Sequence, residues 1–241
     1  MIVGNGLLAK AFCREFANEH DVVVFASGVS NSREHREEQF QREKEMLEAA
    51  LDLGKFLLYF STCSMADAAL AETMYVRHKR EMEGLIFARA DRKAVFRLPQ
   101  VVGATPNPHT LTNYLHHQIT SGSRFPVWLH ARRNLIDVDD VAAIVTHLVR
   151  TGRADGQLIN VACPYSVSIV ELVQHFEEML KIKANYELVP DGAGYAIECG
   201  LTTVAAAELG IGFRECYIPD LLRKYYAGKA FSGAAMQYSA A

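Results

Sequence analysis

Tyr75 and Lys79 stand four residues apart in the stretch TMYVRHKREM. On a helix that spacing returns both side chains to one face, about one turn apart. A phenol titrates at about pH 10 and is a poor base at neutrality. An ammonium beside it favours the phenolate, which makes the pair a proton shuttle toward a hydroxyl or a ketone. Taken alone, the same two residues also describe a half-buried aromatic and a solvated helix charge. A few residues upstream, the apolar run in LLYFSTCSM ends in Ser61, Thr62, Cys63 and Ser64, so a strand delivers hydroxyls just before the helix.

A second group with chemical meaning opens the chain. Gly4, Asn5, Gly6, Leu7, Leu8 and Ala9 form G-x-G-x-x-A between the apolar MIV and a helical pattern. A dinucleotide pyrophosphate needs such a turn, because it must approach the backbone where a helix N-terminus offers free N–H groups and a positive dipole end. Gly4 permits the tight turn, Gly6 keeps a Cβ out of the ligand's path, and Ala9 lets helix and strand pack closely. A glycine turn that joins strand to helix without a ligand is the plainer alternative. The acid that should end the following strand, about 20 residues on, and hold the adenosine ribose is missing. Ser27 and Gly28 stand there, and Asp21 is at the wrong end of the strand.

The elements that must position these groups alternate. Strand patterns at VVVFASG, FLLYFS and KAVFRLP are apolar on both faces, as parallel strands buried under helices should be. Helical patterns lie between them. The segment from Ser32 to Gly54 reads as one long helix, capped by Ser32 and ended by Gly54. Its apolar stripe of Phe40, Leu47 and Leu51 is thin, which predicts that most of the helix is solvated or faces another polar helix. Further on, NLIDVDDVAAIVTHLVRTG reads as a strand running into a helix. Asp137, Asp139 and Asp140 there cap the helix and complement its dipole rather than bind metal. His116 and His117 are adjacent, point apart, and read as surface or interface residues. The tail at 229–241 reads as disordered.

The 241 residues are half apolar and carry a net charge of -3. That is enough chain for one sizeable core, and the charge excludes a basic nucleic-acid footprint. Five scattered cysteines without a C-x-x-C pair argue against a disulfide framework and a zinc knuckle. Neither a leader nor a run of membrane-spanning length is evident, so the expectation is a soluble, cytoplasmic protein with no membrane partner.

Together these landmarks resemble the extended short-chain dehydrogenase/reductase family, whose members epimerise, dehydrate or reduce nucleotide sugars. The resemblance rests on the glycine turn, VVVFASGVSNS, LLYFSTCS, YVRHK, VFRLPQVVGA, RNLIDVDDVA and INVACPYSVSIVELV, which span nearly the whole chain. It implies an α/β fold: a shortened Rossmann-like parallel sheet flanked by helices, with a small C-terminal substrate-binding lobe. The Rossmann core would take residues 1–99 and about 134–162, and the lobe about 100–133 and 163–228. VVVFASGVSNS resembles the family's fourth strand, so the second and third strands are absent. The first strand then lies at or near a sheet edge, and the adenosine half of the cofactor site is largely unbuilt.

The resemblance also assigns roles. NAD or NADP would lie against Gly4, Gly6, Leu7, Leu8, Ala26, Ser27, Gly28 and Pro99, with Tyr75 and Lys79 beside it, Lys79 hydrogen bonding the nicotinamide ribose. Thr62 matches the catalytic Ser/Thr whose hydroxyl holds the substrate oxygen, and a one-residue shift would put Cys63 there. Ser64, Gln100 and Asn113 are substrate-binding candidates, and Arg133 matches an arginine that reaches a nucleotide diphosphate. No metal is implied. Dehydratases of the family carry Asp-Glu after the catalytic Thr, where this chain has Cys63-Ser64, which argues against 4,6-dehydration. The helices holding Phe40–Leu51 and Met82–Ile86 resemble a homodimer interface. The reading is an NAD(P)-dependent nucleotide-sugar epimerase or ketoreductase. Its alternatives are a non-catalytic binding or scaffold protein with a degenerate cofactor site, and a reductase of a non-sugar ketone.

Overall fold

Short apolar runs alternate with amphipathic helices through the first half of the chain, and that alternation builds the main sheet. The computed structural model describes residues 1–228. The first half runs β1 (Ile2–Val3), α1 (Leu7–Phe16), β2 (Val22–Phe25), α2 (Glu37–Leu51), β3 (Phe56–Thr62), α3 (Met74–Arg89) and β4 (Lys93–Leu98). Then follow β5 (Gln100–Val102), α4 (Leu111–Ser121), β6 (Phe125–Trp128), β7 (Arg132–Arg133), β8 (Leu135–Asp137), α5 (Val138–Arg150) and β9 (Leu158–Asn160). The last elements are β10 (Val167–Ser168), α6 (Ile169–Leu180), β11 (Tyr186–Val189), α7 (Gly200–Glu208) and α8 (Tyr217–Tyr226). The tail expected to be disordered lies outside the described residues.

Five strands pair in the order β1-β2-β3-β4-β9, all parallel. The central strand β3 is buried along its whole length, as its unbroken apolar run requires. Successive residues point to opposite faces. Val24, Leu58 and Phe96 therefore pack under α1 and α5, while Val23, Leu57 and Val95 pack under α2 and α3. β1 is an edge strand, as the shortened-sheet reading expects.

The remaining strands form three two-stranded sheets. β5 pairs with β8 in parallel, β6 with β11 in parallel, and β7 with β10 antiparallel. A second core of Leu115, Phe125, Leu135, Phe176 and Leu222 joins these to α4, α6 and α8. α7 instead contributes Ala205 and Ala206 to the main-sheet core.

Two local expectations need correction. α2 begins at Glu37 with Arg36 as its N-cap, not at Ser32. Glu34 explains the delay: its carboxylate accepts from the backbone N–H groups of His35 and Arg36 and from the Arg36 guanidinium, which holds residues 34–36 in a turn. α2 keeps Phe40, Glu43, Leu47 and Ala50 buried and faces the polar helix α3, to which Lys44–Glu81 and Glu43–Lys79 join it. His116 is a core residue rather than a surface one, fully buried against the rings of Phe176 and Tyr226. The aspartates do cap α5: Asp137 accepts from the Asp139 N–H at 2.9 Å. They also anchor α8, through Lys224 to Asp137 and Asp139 and through Tyr225 to Asp137.

Candidate active site

A cavity of about 500 Å³ opens above the C-terminal ends of β1 to β4. In open α/β sheets this is the side on which ligands bind. Its wall brings together Gly6, Leu7 and Leu8 of the turn, Ala26, Ser27 and Gly28 after β2, and Thr62 and Ser64 after β3. Tyr75 and Lys79 of α3 and Pro99 and Gln100 after β4 complete it. Residues scattered over a hundred positions thus face one space because four parallel strands all end there.

The glycine turn is built for a close approach. Gly4 has φ +122°, and a Cβ on it would sit 2.5 Å from the Ala26 carbonyl oxygen, so only glycine lets β1 and β2 lie this close. At Gly6 a Cβ would meet nothing within 4 Å; the space there belongs to the cavity. α1 starts at this turn with no side-chain cap and no acid in its first turn. Its N–H groups and positive dipole end are therefore left for an anion. These features fit the pyrophosphate of a dinucleotide. Among the described residues no Asp or Glu lines the cavity, and the two charged side chains on its wall, Arg42 and Lys79, are cationic.

The helix α3 is capped by Thr73, whose hydroxyl accepts from the Val76 N–H at 3.3 Å. That start places Tyr75 and Lys79 in the first two turns, facing the cavity. Lys79 is only 2 % exposed, and its Nζ lies 6.0 Å from the centroid of the Tyr75 ring. The partner that permits this burial is Glu43 of α2, which is 0 % exposed. Nζ of Lys79 donates to Glu43 Oε1 at 2.8 Å and to the Tyr59 hydroxyl oxygen at 3.2 Å. The Tyr59 hydroxyl donates to Oε1 at 2.6 Å, and the Val29 N–H donates to Oε2 at 2.6 Å. Nε2 of His78 is 3.1 Å from Oε2, near enough for attraction but at an angle that makes no hydrogen bond. Burial alone would push the Glu43 pKa up. The charge of Lys79, with His78 and the Lys79 and Tyr59 hydrogen bonds, outweighs it and holds the group well below the usual carboxylate range.

Gly28 makes room for this pair. A Cβ there would stand 2.5 Å from Lys79 Nζ and 2.9 Å from Glu43 Oε1. The position where an acid was expected is thus filled by the smallest residue, because a lysine and a carboxylate pass beneath it.

Thr62 ends β3, and its Oγ1 accepts from the Ser64 N–H at 3.1 Å. That bond occupies an acceptor lone pair and leaves the hydroxyl proton to donate. Cys63, the one-residue alternative, does not line the cavity. It is 2 % exposed, its Sγ donates to the Arg97 carbonyl at 3.3 Å, and burial pushes its thiol up to about 12. Ser64 meets Tyr195, which also lines the cavity and whose phenol is pushed up, chiefly by burial. Ser61 lines the cavity as well, and its buried hydroxyl has no hydrogen-bond partner.

Two expected substrate residues lie elsewhere. Asn113 does not line the cavity: its Nδ2 donates to the Thr105 and Asn107 carbonyls, and its Oδ1 accepts from the Tyr226 hydroxyl. It braces the loop before α4. Arg133 is also outside the wall, with Nη1 donating to the carbonyls of Arg132 and Ala193. Glu43 and Tyr195 carry no sequence signal for this site, and Ser61 is named there only as one of four residues at the strand end, with no role assigned. Glu43 sits in a run of charges that reads as solvated, Ser61 next to a stronger candidate, and Tyr195 in a loop without periodicity. Among the described residues no group of three or more His, Cys, Asp or Glu is placed to hold a metal ion, and no helix is long and apolar enough to cross a membrane.

The family model of the NAD dependent epimerase/dehydratase family matches residues 5–162. A search of curated proteins by sequence returns no significant match. Solved structures share the fold. A UDP-glucuronic acid 4-epimerase from Bacillus cereus, in complex with UDP-glucuronic acid and NAD, superposes with TM-score 0.67 at 16% identity, over 86% of this chain and 74% of that one. The RMD protein of Pseudomonas aeruginosa, complexed with NADPH, gives 0.66 at 20% identity over 91% and 85%. A dTDP-4-dehydrorhamnose reductase from Clostridium acetobutylicum gives 0.69 at 14% identity over 93% and 96%.

Proposed function

The chain belongs to the NAD dependent epimerase/dehydratase family, and from that premise we propose that it is an NAD(P)-dependent epimerase or ketoreductase acting on a nucleotide sugar. The observation that carries this reading is the convergence of Thr62, Tyr75 and Lys79 with the glycine turn on one cavity. A bound nicotinamide supplies the hydride acceptor and donor. The chain's own residues do the rest. Gly4 and Gly6 let the pyrophosphate reach the first N–H groups of α1. Thr62 donates its hydroxyl proton to the substrate oxygen. Tyr75 takes a proton from a sugar hydroxyl, or gives one to a ketone, at that same oxygen. Lys79 spends two donors on Glu43 and Tyr59, and its third is left for a ribose hydroxyl.

The reading excludes 4,6-dehydration, because Cys63-Ser64 follow Thr62 where dehydratases of the family carry Asp-Glu, and among the described residues no Asp or Glu lines the cavity. The named substrates of the solved relatives, UDP-glucuronic acid and UDP-glucose among them, favour a nucleotide diphosphate sugar here. A cytoplasmic homodimer paired through α2 and α3 belongs to the same reading. One feature favours the second reading, a binding protein with a degenerate cofactor site: among the described residues β1 is the sheet edge and no outer strand backs an adenosine.

Fluorescence titration with NADH and NADPH separates the two readings, and a thermal-shift screen of nucleotide sugars then identifies the substrate to assay. Tyr75→Phe is expected to bind cofactor like the parent chain and to lose turnover by about a hundredfold or more, the size of a lost acid–base group. Undiminished turnover in that variant would reject the mechanism. Absence of binding at millimolar cofactor would favour the binding protein.

A further inference from the structure

We propose that Glu43 is a positioning residue of the active centre, acting through Lys79 to aim one ammonium proton at the cofactor ribose. The inference rests on the reading above, in which Lys79 meets the nicotinamide ribose, but the Tyr–Lys chemistry itself makes no use of Glu43.

The geometry supports it in three ways. First, a buried ion pair gives a fold little net stability compared with apolar residues of the same shape. Its presence against the wall of a cavity therefore calls for a role other than packing. Second, an ammonium has three donors. Glu43 and Tyr59 occupy two of them from the side of the helices, and Lys79 itself lines the cavity. The third donor has a fixed direction before any ligand arrives. A lysine without such an anchor would lose its rotamer freedom only on binding, which weakens binding. Third, both carboxylate oxygens are committed. Oε1 receives Lys79 and Tyr59, and Oε2 receives the Val29 N–H at 2.6 Å. A carboxamide cannot replace this arrangement. Its NH2 must face either the Val29 N–H or the Lys79 ammonium, donor against donor. Glu43 thus couples the turn after β2, the centre of β3 and the first turns of α3 through one side chain.

The test is the affinity of the full chain for NADH and NADPH, read by fluorescence, in four variants. Lys79→Met is expected to weaken binding about tenfold, the size of one hydrogen bond from a charged group. Glu43→Gln is expected to lose a similar factor. The double variant E43Q/K79M is expected to bind no more weakly than K79M alone, because both changes remove the same contact. A purely structural Glu43 would leave affinity unchanged or multiply the two losses, and either result overturns the proposal. Should E43Q fail to fold, Glu43→Asp carries the comparison: it keeps the charge, draws the carboxylate back from Nζ, and is expected to weaken binding severalfold. Parent-like affinity in E43D overturns the proposal. A parent chain that binds neither cofactor, or K79M with parent affinity, overturns the reading of the site as well. Binding that is sensitive to Lys79 and indifferent to Glu43 overturns this inference alone.

Discussion

At the scale of single residues, the centre depends on the absence of a side chain as much as on the presence of three. Gly28→Ala would place a methyl group 2.5 Å from Lys79 Nζ and 2.9 Å from Glu43 Oε1. The pair is buried and cannot swing into solvent, so the variant should be destabilised by about 1–3 kcal/mol and bind cofactor less tightly. Gly84→Ala provides the opposite case. Gly84 lies on the exposed side of α3, and its Cβ would meet nothing within 4 Å. There alanine should stabilise by about 0.5–1 kcal/mol through helix propensity. Urea melts of the two variants check both signs, and a Gly28→Ala protein as stable as the parent would show that the pair can shift without cost. That Tyr75, Lys79 and Thr62 share one cavity wall was foreseeable in sequence, from helical spacing for the first two and from the family resemblance for Thr62. Glu43 was not. A carboxylate within EEQFQREKE looks like one of many solvated charges, and only the fold reveals that this one faces a lysine 36 residues away.

At the scale of elements, the same carboxylate ties α2 to β3 and α3, and this should be visible as a pH dependence of stability. Its pKa is held low in the fold, while an unfolded Glu titrates at about 4.3. A depressed carboxylate contributes stability that is fully present above the unfolded value and is lost as pH falls toward the folded one. The parent chain should therefore lose more of its urea midpoint between pH 7 and about pH 3.5 than E43Q/K79M does. Equal losses would mean that the pair makes no net contribution. Glu34 and Glu208 are held low as well, by hydrogen bonds from Arg36 and from Arg153 and His147, but they are common to both proteins and cancel in the comparison. The α/β alternation was readable because buried parallel strands and amphipathic helices differ in period. The start of α2 was not, since the turn built by Glu34 and Arg36 competes with helix from just inside the expected boundary. Nor were the pairings of β7 with β10 and β6 with β11, which join short segments more than 30 residues apart whose contact no local pattern encodes.

At the scale of the whole molecule, the consequence of the shortened sheet falls on one half of the cofactor. Among the described residues no strand pairs with the outer side of β1, and the strand after α1 runs into Ser27 and Gly28, with no acid to hold an adenosine ribose. The cavity instead spans the glycine turn, the end of β3 and the start of α3. On the proposed reading those parts serve the pyrophosphate and the nicotinamide ribose. A dinucleotide should therefore draw most of its binding energy from its nicotinamide and phosphate groups. Reduced nicotinamide mononucleotide is expected to bind within about tenfold of NADH, a difference of about 1.4 kcal/mol. NADH and NADPH should also differ little, because among the described residues no carboxylate lines the cavity to repel a 2′-phosphate, and the guanidinium of Arg42 is already held by the Ser27 hydroxyl and carbonyl. Competition titrations with the mononucleotide, NADH, NADPH and AMP measure each contribution. AMP should compete weakly, since it carries only the half that lacks a berth. A preference for NADH over the mononucleotide of a hundredfold or more, or AMP competition at micromolar concentration, would show that the adenosine is held by another part of the chain and that loss of two strands left the site intact.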